Sequence, residues 1–465
     1  MRTNDRGRRG AEHGFSLIEL LVSMFIAIQI LIAAAVAFDV HQKMAQVQTQ
    51  VTDLQQSLRV GQYDIVRLVR MAGRGSLPVE IDPDAIFDPS AAVPALRGLA
   101  IEVRNNVSGA DRHVARGNLN SPQAIEGSDI LTIRGCFSGT VYQVSPENFD
   151  ADDTDADGID DVATLPIPRQ SLAALGQPLG PLVEEIQAGG GPDGRMILTS
   201  KTSLQDYGIV RVTGLATVGD ASDPDSVTLT FALATNSPLN PVDNTSGNRI
   251  FPQGLEPALA CFLEEYRYYV REVAGDTITP LRPRLTRARF EPGTEQAYLG
   301  NASNLTLDLA DGFFDLQVAL GLDTDYFEGY TAGSPGAFRD DENNVGPDDV
   351  IYEADLTDED ADGSLDDWLY NVPEDRPADT QWVDHSFGTN AGTRVQVYFL
   401  RITTAARTLR PDRGYEAPEL DTRTDGDWLE DHDYDSGAAN YWKSGDRLKH
   451  RRRTLTTIVD LRNAQ

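Results

Sequence analysis

An apolar run near the amino terminus is the strongest pattern in the chain. It extends from Phe15 to Phe38 and is interrupted only by Ser16, Glu19, Ser23 and Gln29. As an α-helix, these 24 residues would rise about 36 Å, which exceeds the ~30 Å hydrocarbon core of a bilayer. The run therefore predicts one membrane-spanning helix.

The helical pattern continues beyond the apolar run, over residues 39–75. Apolar or small residues recur at alternating spacings of four and three, at Val40, Met44, Val47, Val51, Leu54, Leu58, Gly61, Ile65 and Leu68. Such a stripe faces one direction on a helix, and the cluster Gly73–Pro78 predicts the end of that helix. If unbroken from 15 to 72, the helix would be ~87 Å long. A free coiled-coil stalk is one interpretation of this stripe, and packing of this half on a globular part of the chain is the other.

Beyond residue 75 the chain alternates between short apolar segments and loop residues. The segments that predict strands are Ile130–Arg134, Met196–Thr199, Ile209–Val212, Val227–Leu233, Tyr266–Val270, Phe314–Leu320, Val395–Ile402 and Leu455–Leu461. Several alternate between apolar and polar residues, which is typical of a sheet with one solvated face. We expect an α+β protein whose β-rich globular head covers 76–465, with acidic insertions near 150–161, 340–367 and 421–437.

Composition narrows the classes of function. The 465 residues contain 40 Lys and Arg against 72 Asp and Glu, a formal net charge of −32. A field of that sign repels phosphate backbones, so no nucleic-acid partner is expected. The six histidines form no metal-binding pair, and the chain has no G-x-S-x-G elbow and no P-loop. We therefore do not expect an enzyme.

Charge on either side of the apolar run predicts its orientation. The first fourteen residues carry Arg2, Arg6, Arg8 and Arg9, whereas the chain beyond the run is acidic. Basic residues favour the cytoplasmic side, so the bulk of the chain is expected outside. An ordinary secretory signal fits poorly because the run is long and no small-residue cleavage site follows it. A signal anchor with one spanning helix is the simplest alternative.

Glu19 indicates that the apolar helix does more than anchor the chain in a membrane. A carboxylate inside a membrane helix is costly and usually has a partner. If the chain were cut between Gly14 and Phe15, the new α-amino group would stand four residues before Glu19. The ammonium of one subunit could then pair with Glu19 of its neighbour, offsetting both desolvation costs. That arrangement suits a helix that stacks beside other copies or relatives.

The segment Gly14-Phe-Ser-Leu-Ile-Glu-Leu20 resembles the prepilin signature of type IV pilins and type II secretion pseudopilins. The resemblance implies that a prepilin peptidase removes residues 1–14 by cutting after Gly14 and then N-methylates Phe15. Glu19 in the fifth mature position favours Gly14 over Gly10 as the cleavage site. Glu12-His13 departs from the family, which often keeps a basic residue there.

Three segments of the head resemble the PilW family of minor pilins and J-type pseudopilins: Gly127–Arg134, Phe314–Asp325 and Arg451–Asn463. The resemblance implies a lollipop-shaped minor pilin that primes, caps or exports a type IV pilus. It would stand in the inner membrane with its head in the periplasm and later at the cell surface. Its partners would be other minor and major pilins, the peptidase and the inner-membrane assembly platform. The alternatives are a J-type pseudopilin and a signal-anchored, calcium-dependent surface adhesin.

Two acidic loops fit the pattern D-x-D-x-D-G-x-x-D, which suits calcium because alternate aspartates turn several oxygens inward. The predicted ligands are Asp153, Asp155, Asp157, the Ile159 carbonyl, Asp161, Asp358, Asp360, Asp362, the Ser364 carbonyl and Asp366. Neither loop has the glutamate that an EF-hand carries at its twelfth position. We therefore expect weaker calcium affinity, of the kind found in extracellular modules. The stretch 431–437 has a similar spacing of aspartates, but its glycine stands one position later. Solvated acidic loops without metal are the alternative.

The two cysteines, Cys136 and Cys261, are 125 positions apart and each adjoins a predicted strand. In an oxidising compartment they can form a disulfide, which would stabilise the fold by ~4–5 kcal/mol on the chain-entropy model. Two buried thiols are the alternative.

Overall fold

The computed structural model describes residues 16–81, 99–137, 141–144, 150–152, 162–167, 195–200, 206–216, 227–232, 237–241, 251–252, 254–274, 281–298, 306–322, 369–370, 395–412, 415, 428–429, 432–433 and 449–461. Within them, one long apolar helix is followed by antiparallel strands. The prediction of a long amino-terminal helix and a β-rich, broadly α+β chain is confirmed.

The helix α1 comprises Leu17–Val69, and a short 3₁₀ turn comprises Gly109–Arg112. The strands are β1 Glu80–Ile81, β2 Ile101–Arg104, β3 Ile130–Gly135, β4 Val141–Gln143, β5 Asp150–Asp152, β6 Val162–Ile167, β7 Arg195–Ser200, β8 Tyr207–Ala216, β9 Val227–Ala232, β10 Pro257–Phe262, β11 Glu264–Ala274, β12 Leu281–Phe290, β13 Thr306–Asp311, β14 Phe313–Leu322, β15 Leu369–Tyr370, β16 Val395–Arg407, β17 Trp428–Leu429, β18 His432–Asp433 and β19 Arg452–Asp460. Each of the eight segments predicted as strands overlaps one of these.

The strands form three sheets and one small hairpin. Sheet A has the order β13-β12-β11-β3-β2, and sheet B has the order β1-β16-β14-β15 with β19 also paired to β16. Sheet C has the order β4-β10-β7-β8-β9-β6-β5, and β17 pairs with β18. Every pairing among the described strands is antiparallel.

The chain divides into two units, an amino-terminal unit Met1–Asp53 and a body Leu54–Gln465. The body contains the last part of α1, where the apolar stripe is buried at Leu54, Leu58, Gly61, Ile65 and Leu68. The leucines and Ile65 among these residues join one core with members of all three sheets, including Leu285 of sheet A, Ile402 of sheet B and Ile197 of sheet C. Earlier positions of the stripe differ, because Val40 and Met44 are exposed.

The helix α1 lies close to sheets A and B at Gly61. A Cβ atom built there would lie 2.6 Å from Cζ of Phe313 and 2.8 Å from Cδ2 of Leu285, and both side chains are fully buried. Only glycine therefore lets the helix lie this close to sheets A and B.

We expect Gly61→Ala to destabilise the body. Overpacking a dense core costs about 1–3 kcal/mol, whereas the better helix propensity of alanine returns up to ~1 kcal/mol. The net result should be a lower melting temperature of the full chain in detergent. Gln56→Ala, at an exposed position of the same helix, is the matched control and should leave the melting temperature nearly unchanged. Equal melting temperatures for the two variants would contradict the close packing at Gly61.

Candidate assembly helix and its anchorage in the body

The start of α1 is closed by a reciprocal pair of hydrogen bonds. The Ser16 backbone N–H donates to Oε2 of Glu19 at 3.0 Å, and the Glu19 backbone N–H donates to Oγ of Ser16 at 3.2 Å. This is a capping box, which satisfies two backbone donors that a helix start leaves unpaired. Glu19 is exposed within this chain. Gly14 and Phe15, the predicted cleavage and methylation sites, lie outside the described residues.

The apolar side chains of the amino-terminal unit are exposed. Leu17 is 81% exposed, Phe25 64% and Phe38 64%. This part of α1 is long and apolar enough to cross a membrane, and no described residue of the chain covers it. It is consistent with membrane anchoring or with a signal sequence. Such a surface is unfavourable in water, so lipid or other apolar helices are the surroundings that it suits.

Two polar residues of α1, Asp64 and Gln62, bind its last turns to the sheets of the body. The Tyr268 hydroxyl donates to Oδ2 of Asp64 at 2.7 Å, and Nη1 of Arg287 lies 2.9 Å from the same oxygen. Burial and the Asp64 carboxylate raise the pKa of Tyr268, so its hydroxyl stays protonated and donates. Buried Gln62 donates through Nε2 to the carbonyl of Leu455 at 3.2 Å. The helix is thus tied to sheet A through Asp64 and to sheet B through Gln62.

The chain after α1 is held against a disulfide. Cys136 and Cys261 form this disulfide, with an S–S distance of 1.98 Å, and both are buried. Cys136 follows β3 of sheet A and Cys261 lies in β10 of sheet C, so the bond joins the two sheets covalently. Gly75 adopts a φ of 101°, and a Cβ there would lie 2.7 Å from Sγ of Cys136. A side chain at position 75 would therefore collide with the disulfide.

The face of sheet A that looks away from α1 contains a buried ion-pair network. Arg134 and Glu265 are directly opposite each other on β3 and β11, and Nε of Arg134 lies 2.6 Å from Oε2 of Glu265. The same guanidinium reaches Oε2 of Glu102 on β2 at 2.7 Å. Arg267 pairs with the other oxygen of Glu265 at 2.7 Å. Arg116 pairs with the other oxygen of Glu102, also at 2.7 Å.

The network also holds the segments that cover this face. Nη1 of Arg104 donates to the carbonyl of His113 at 2.8 Å, and its Nη2 donates to that of Val114 at 2.7 Å. Arg267 donates to the Val114 carbonyl at 2.6 Å and to the Thr294 carbonyl at 2.7 Å. Its guanidinium also lies 3.9 Å from the ring centroid of Phe290. Buried arginines thus supply the donors that the carbonyls of the covering loops need.

The carboxylates of the network are ionised. Burial raises the pKa of Glu265, but the charges of Arg134 and Arg267, with a hydrogen bond from the Gly293 N–H, outweigh burial and hold the pKa below its usual range. Burial likewise opposes ionisation of Glu102, and Arg116 and Arg134 reverse it, so its pKa is also lowered. These groups act as permanent counter-ions at neutral pH. Their arrangement is suited to stability rather than to proton transfer.

The predicted calcium ligands, 153–161 and 358–366, lie outside the described residues. Of the weaker third stretch, only His432 and Asp433 are described, as β18. Across the described ranges, no group of three or more His, Cys, Asp or Glu side chains is arranged to hold a metal ion.

Comparison with known proteins finds no significant match. The chain matches no protein-family model, no curated protein and no solved structure significantly.

Strand alternation alone does not predict the buried network. Glu265 and Arg267 stand two positions apart in a strand whose other face carries Tyr266 and Tyr268. An alternating strand usually places its charged residues in water. Here loops cover that side, and a single strand does not reveal what lies over it.

Proposed function

We propose that the chain is a minor pilin that takes part in type IV pilus assembly, by priming, capping or exporting the fibre. One observation carries the proposal: an acidic residue, Glu19, lies near the start of an exposed apolar helix, five residues after a glycine. In a simple anchor Glu19 would serve only as a helix cap, a role that glutamine fills without charge, and the cost of burying the charge in the membrane would not be recovered. A helix that assembles with others recovers that cost through a partner.

The proposed assembly step uses two groups of neighbouring chains. Removal of residues 1–14 would free the amino group of Phe15, which is N-methylated and remains cationic. That ammonium would pair with Glu19 of an adjacent subunit as the apolar helices leave the bilayer and pack together. In the described chain one Glu19 oxygen accepts the Ser16 N–H. A carboxylate accepts several hydrogen bonds, so Glu19 can cap its own helix and still bind a partner's ammonium.

The anchorage of α1 supports the same role. From Leu54 onward the helix belongs to the core of the body, where Asp64 and Gln62 bind sheet residues. A helix fixed in this way cannot be withdrawn from the body without unfolding it. Any displacement of this part of α1 during assembly therefore carries the three sheets with it.

Deletion of the gene tests the proposal and its nearest alternative. Loss of surface fibres and of twitching motility, restored by the intact gene, is the expected result. Loss of exported enzymes with fibres intact would instead assign the chain to a type II secretion system as a J-type pseudopilin. Unchanged fibres and unchanged secretion would favour a surface adhesin and contradict both assembly roles.

We also propose that calcium binds the acidic loops 153–161 and 358–366. Each loop places several aspartates close together in sequence, so without a cation the carboxylates repel one another. Calcium should raise the melting temperature of the full chain in detergent and its resistance to protease. A variant with Asp155→Asn and Asp360→Asn should lose the response, and magnesium at equal concentration should not replace calcium. No thermal shift, together with no heat of binding by calorimetry, would contradict the calcium sites.

A further inference from the structure

The outward face of α1 within the body has an unusual composition. From Leu54 to Arg70 the exposed residues are Gln56, Arg59, Val60, Tyr63, Arg67 and Arg70. Their spacings of three, one, three, four and three place them on one side of the helix. We call this set the basic face. It has three arginines and no carboxylate, in a chain whose formal net charge is −32.

Within Leu54–Arg70 the one acidic residue, Asp64, is already neutralised, and exposed Asp53 precedes this segment on the same helix. Asp64 is half-buried, and its carboxylate accepts the Tyr268 hydroxyl and binds Arg287. Its nearest contact with Arg67 is long, 3.8 Å, and the Arg67 side chain is 54% exposed. The basic face therefore presents its positive charge to the outside.

The residue types of the basic face are those of a protein interface. Tyr63 is 71% exposed and Val60 is 51% exposed, which leaves an aromatic ring and an aliphatic side chain between the arginines. Tyrosine and arginine are enriched in interface cores and dominate binding energies, whereas lysine, glutamate and aspartate are depleted there. A helix side adapted only to water would more commonly mix both signs of charge.

We propose that the basic face docks onto a carboxylate-rich surface of a second copy of this chain. Charge complementarity points to that occupant, because the chain itself supplies 72 acidic residues against 40 basic ones. Because the contact joins two different surfaces, it leaves one of each free when it forms head to tail, and heterologous contacts that do not close generate filaments. The inference rests on the proposed function, because two copies would meet during pilus assembly. It adds to that function the partner, a second copy of the chain, and the surface that binds it, the basic face.

Photo-crosslinking from Tyr63 tests the inference. The full chain, with Tyr63 replaced by p-benzoylphenylalanine, is irradiated in the membranes of cells that produce it, and the linked peptides are identified by mass spectrometry. We expect a covalent dimer whose second site is an Asp- and Glu-rich peptide of the same chain. Raising the salt concentration from about 50 to 500 mM should weaken the dimer band severalfold, because charge contacts at a surface are screened.

Single charge reversals distinguish an effect of the basic face on dimer formation from an effect of the overall net charge. Arg59→Glu should reduce the dimer band at least about fivefold, since a like charge replaces an attractive one at the contact. Arg410→Glu, at an exposed position of the body outside this face, changes the net charge equally and should leave the band unchanged. Equal effects of the two variants, a link only to lipid, a link only to a different protein, or no link would each overturn the inference.

The amino-terminal mass of the same sample keeps the two proposals distinguishable. A dimer formed by a chain that retains Met1 would contradict the pilin proposal and support the docking surface. A chain processed at Phe15 that forms no dimer would contradict the docking surface alone.

Discussion

Replacement of Glu19 by alanine is expected to exclude the chain from assembled fibres while its body stays folded. The alanine variant would leave a neighbour's Phe15 ammonium without a counter-ion among apolar helices. Removing one partner of a buried ion pair costs about 3–5 kcal/mol, which corresponds to more than a hundredfold in an equilibrium. Incorporation is measured by immunoblotting of sheared fibres against the membrane fraction. The melting temperature of the body reports folding separately.

Glu19→Gln distinguishes the ion pair from the capping box. Glutamine can still accept the hydrogen bond from the Ser16 N–H, as it does in many capping boxes, but it has no charge. We expect the glutamine variant to be excluded from fibres nearly as strongly as the alanine variant. Normal incorporation of glutamine with loss for alanine would mean that Glu19 acts only as a helix cap. Normal incorporation of both would remove the assembly role.

Replacement of Arg134 by methionine is expected to cause the largest loss of stability in the body. The Arg134 side chain is 2% exposed and binds Glu265 and Glu102, which would both remain buried with one arginine fewer. Such a change costs about 3–5 kcal/mol, a large part of the 5–15 kcal/mol that stabilises an ordinary domain. Thermal or urea denaturation of the full chain in detergent measures it. Arg453→Met, at an exposed position, should change stability by no more than ~0.5 kcal/mol.

The same network predicts how stability depends on pH. The pKa values of Glu102 and Glu265 are lowered in the folded chain. A carboxyl group of this kind contributes its full stabilisation above its unfolded pKa, about 4.3, and loses it as the pH falls through the folded value. Stability should therefore decline below about pH 4, and less steeply in Glu265→Gln than in the unchanged chain. A flat profile in the unchanged chain between pH 5 and pH 2 would contradict the ion-pair account.

The long helix and many of the strands were predictable because their patterns are local. The apolar stripe at spacings of three and four requires no knowledge of what it packs against, and α1 ends at Val69 shortly before the predicted glycine cluster. Val395–Arg407 shows alternation over its first residues and was predicted from them. Its length of 13 residues depends on pairing with β14 and β19, which the sequence does not display.

Strand β12 shows why other elements were not predicted. Its sequence Leu-Arg-Pro-Arg-Leu-Thr-Arg-Ala-Arg-Phe contains four arginines and a proline, which argues against a paired strand. The arginines are accommodated by partners distant in sequence, such as Asp308 for Arg284 and Asp64 for Arg287. Long-range ion pairs of this kind, like the Arg134–Glu265 pair, arise only after the strands have met.

The mass of the mature amino-terminal peptide tests the central claim most directly. The chain is isolated from cells that contain its own assembly machinery, digested and analysed by mass spectrometry. The account predicts a terminal peptide that begins at Phe15 and is one methyl group heavier than its sequence. A peptide that retains Met1, or one that begins at another residue without a methyl group, would contradict the account and leave a simple membrane anchor.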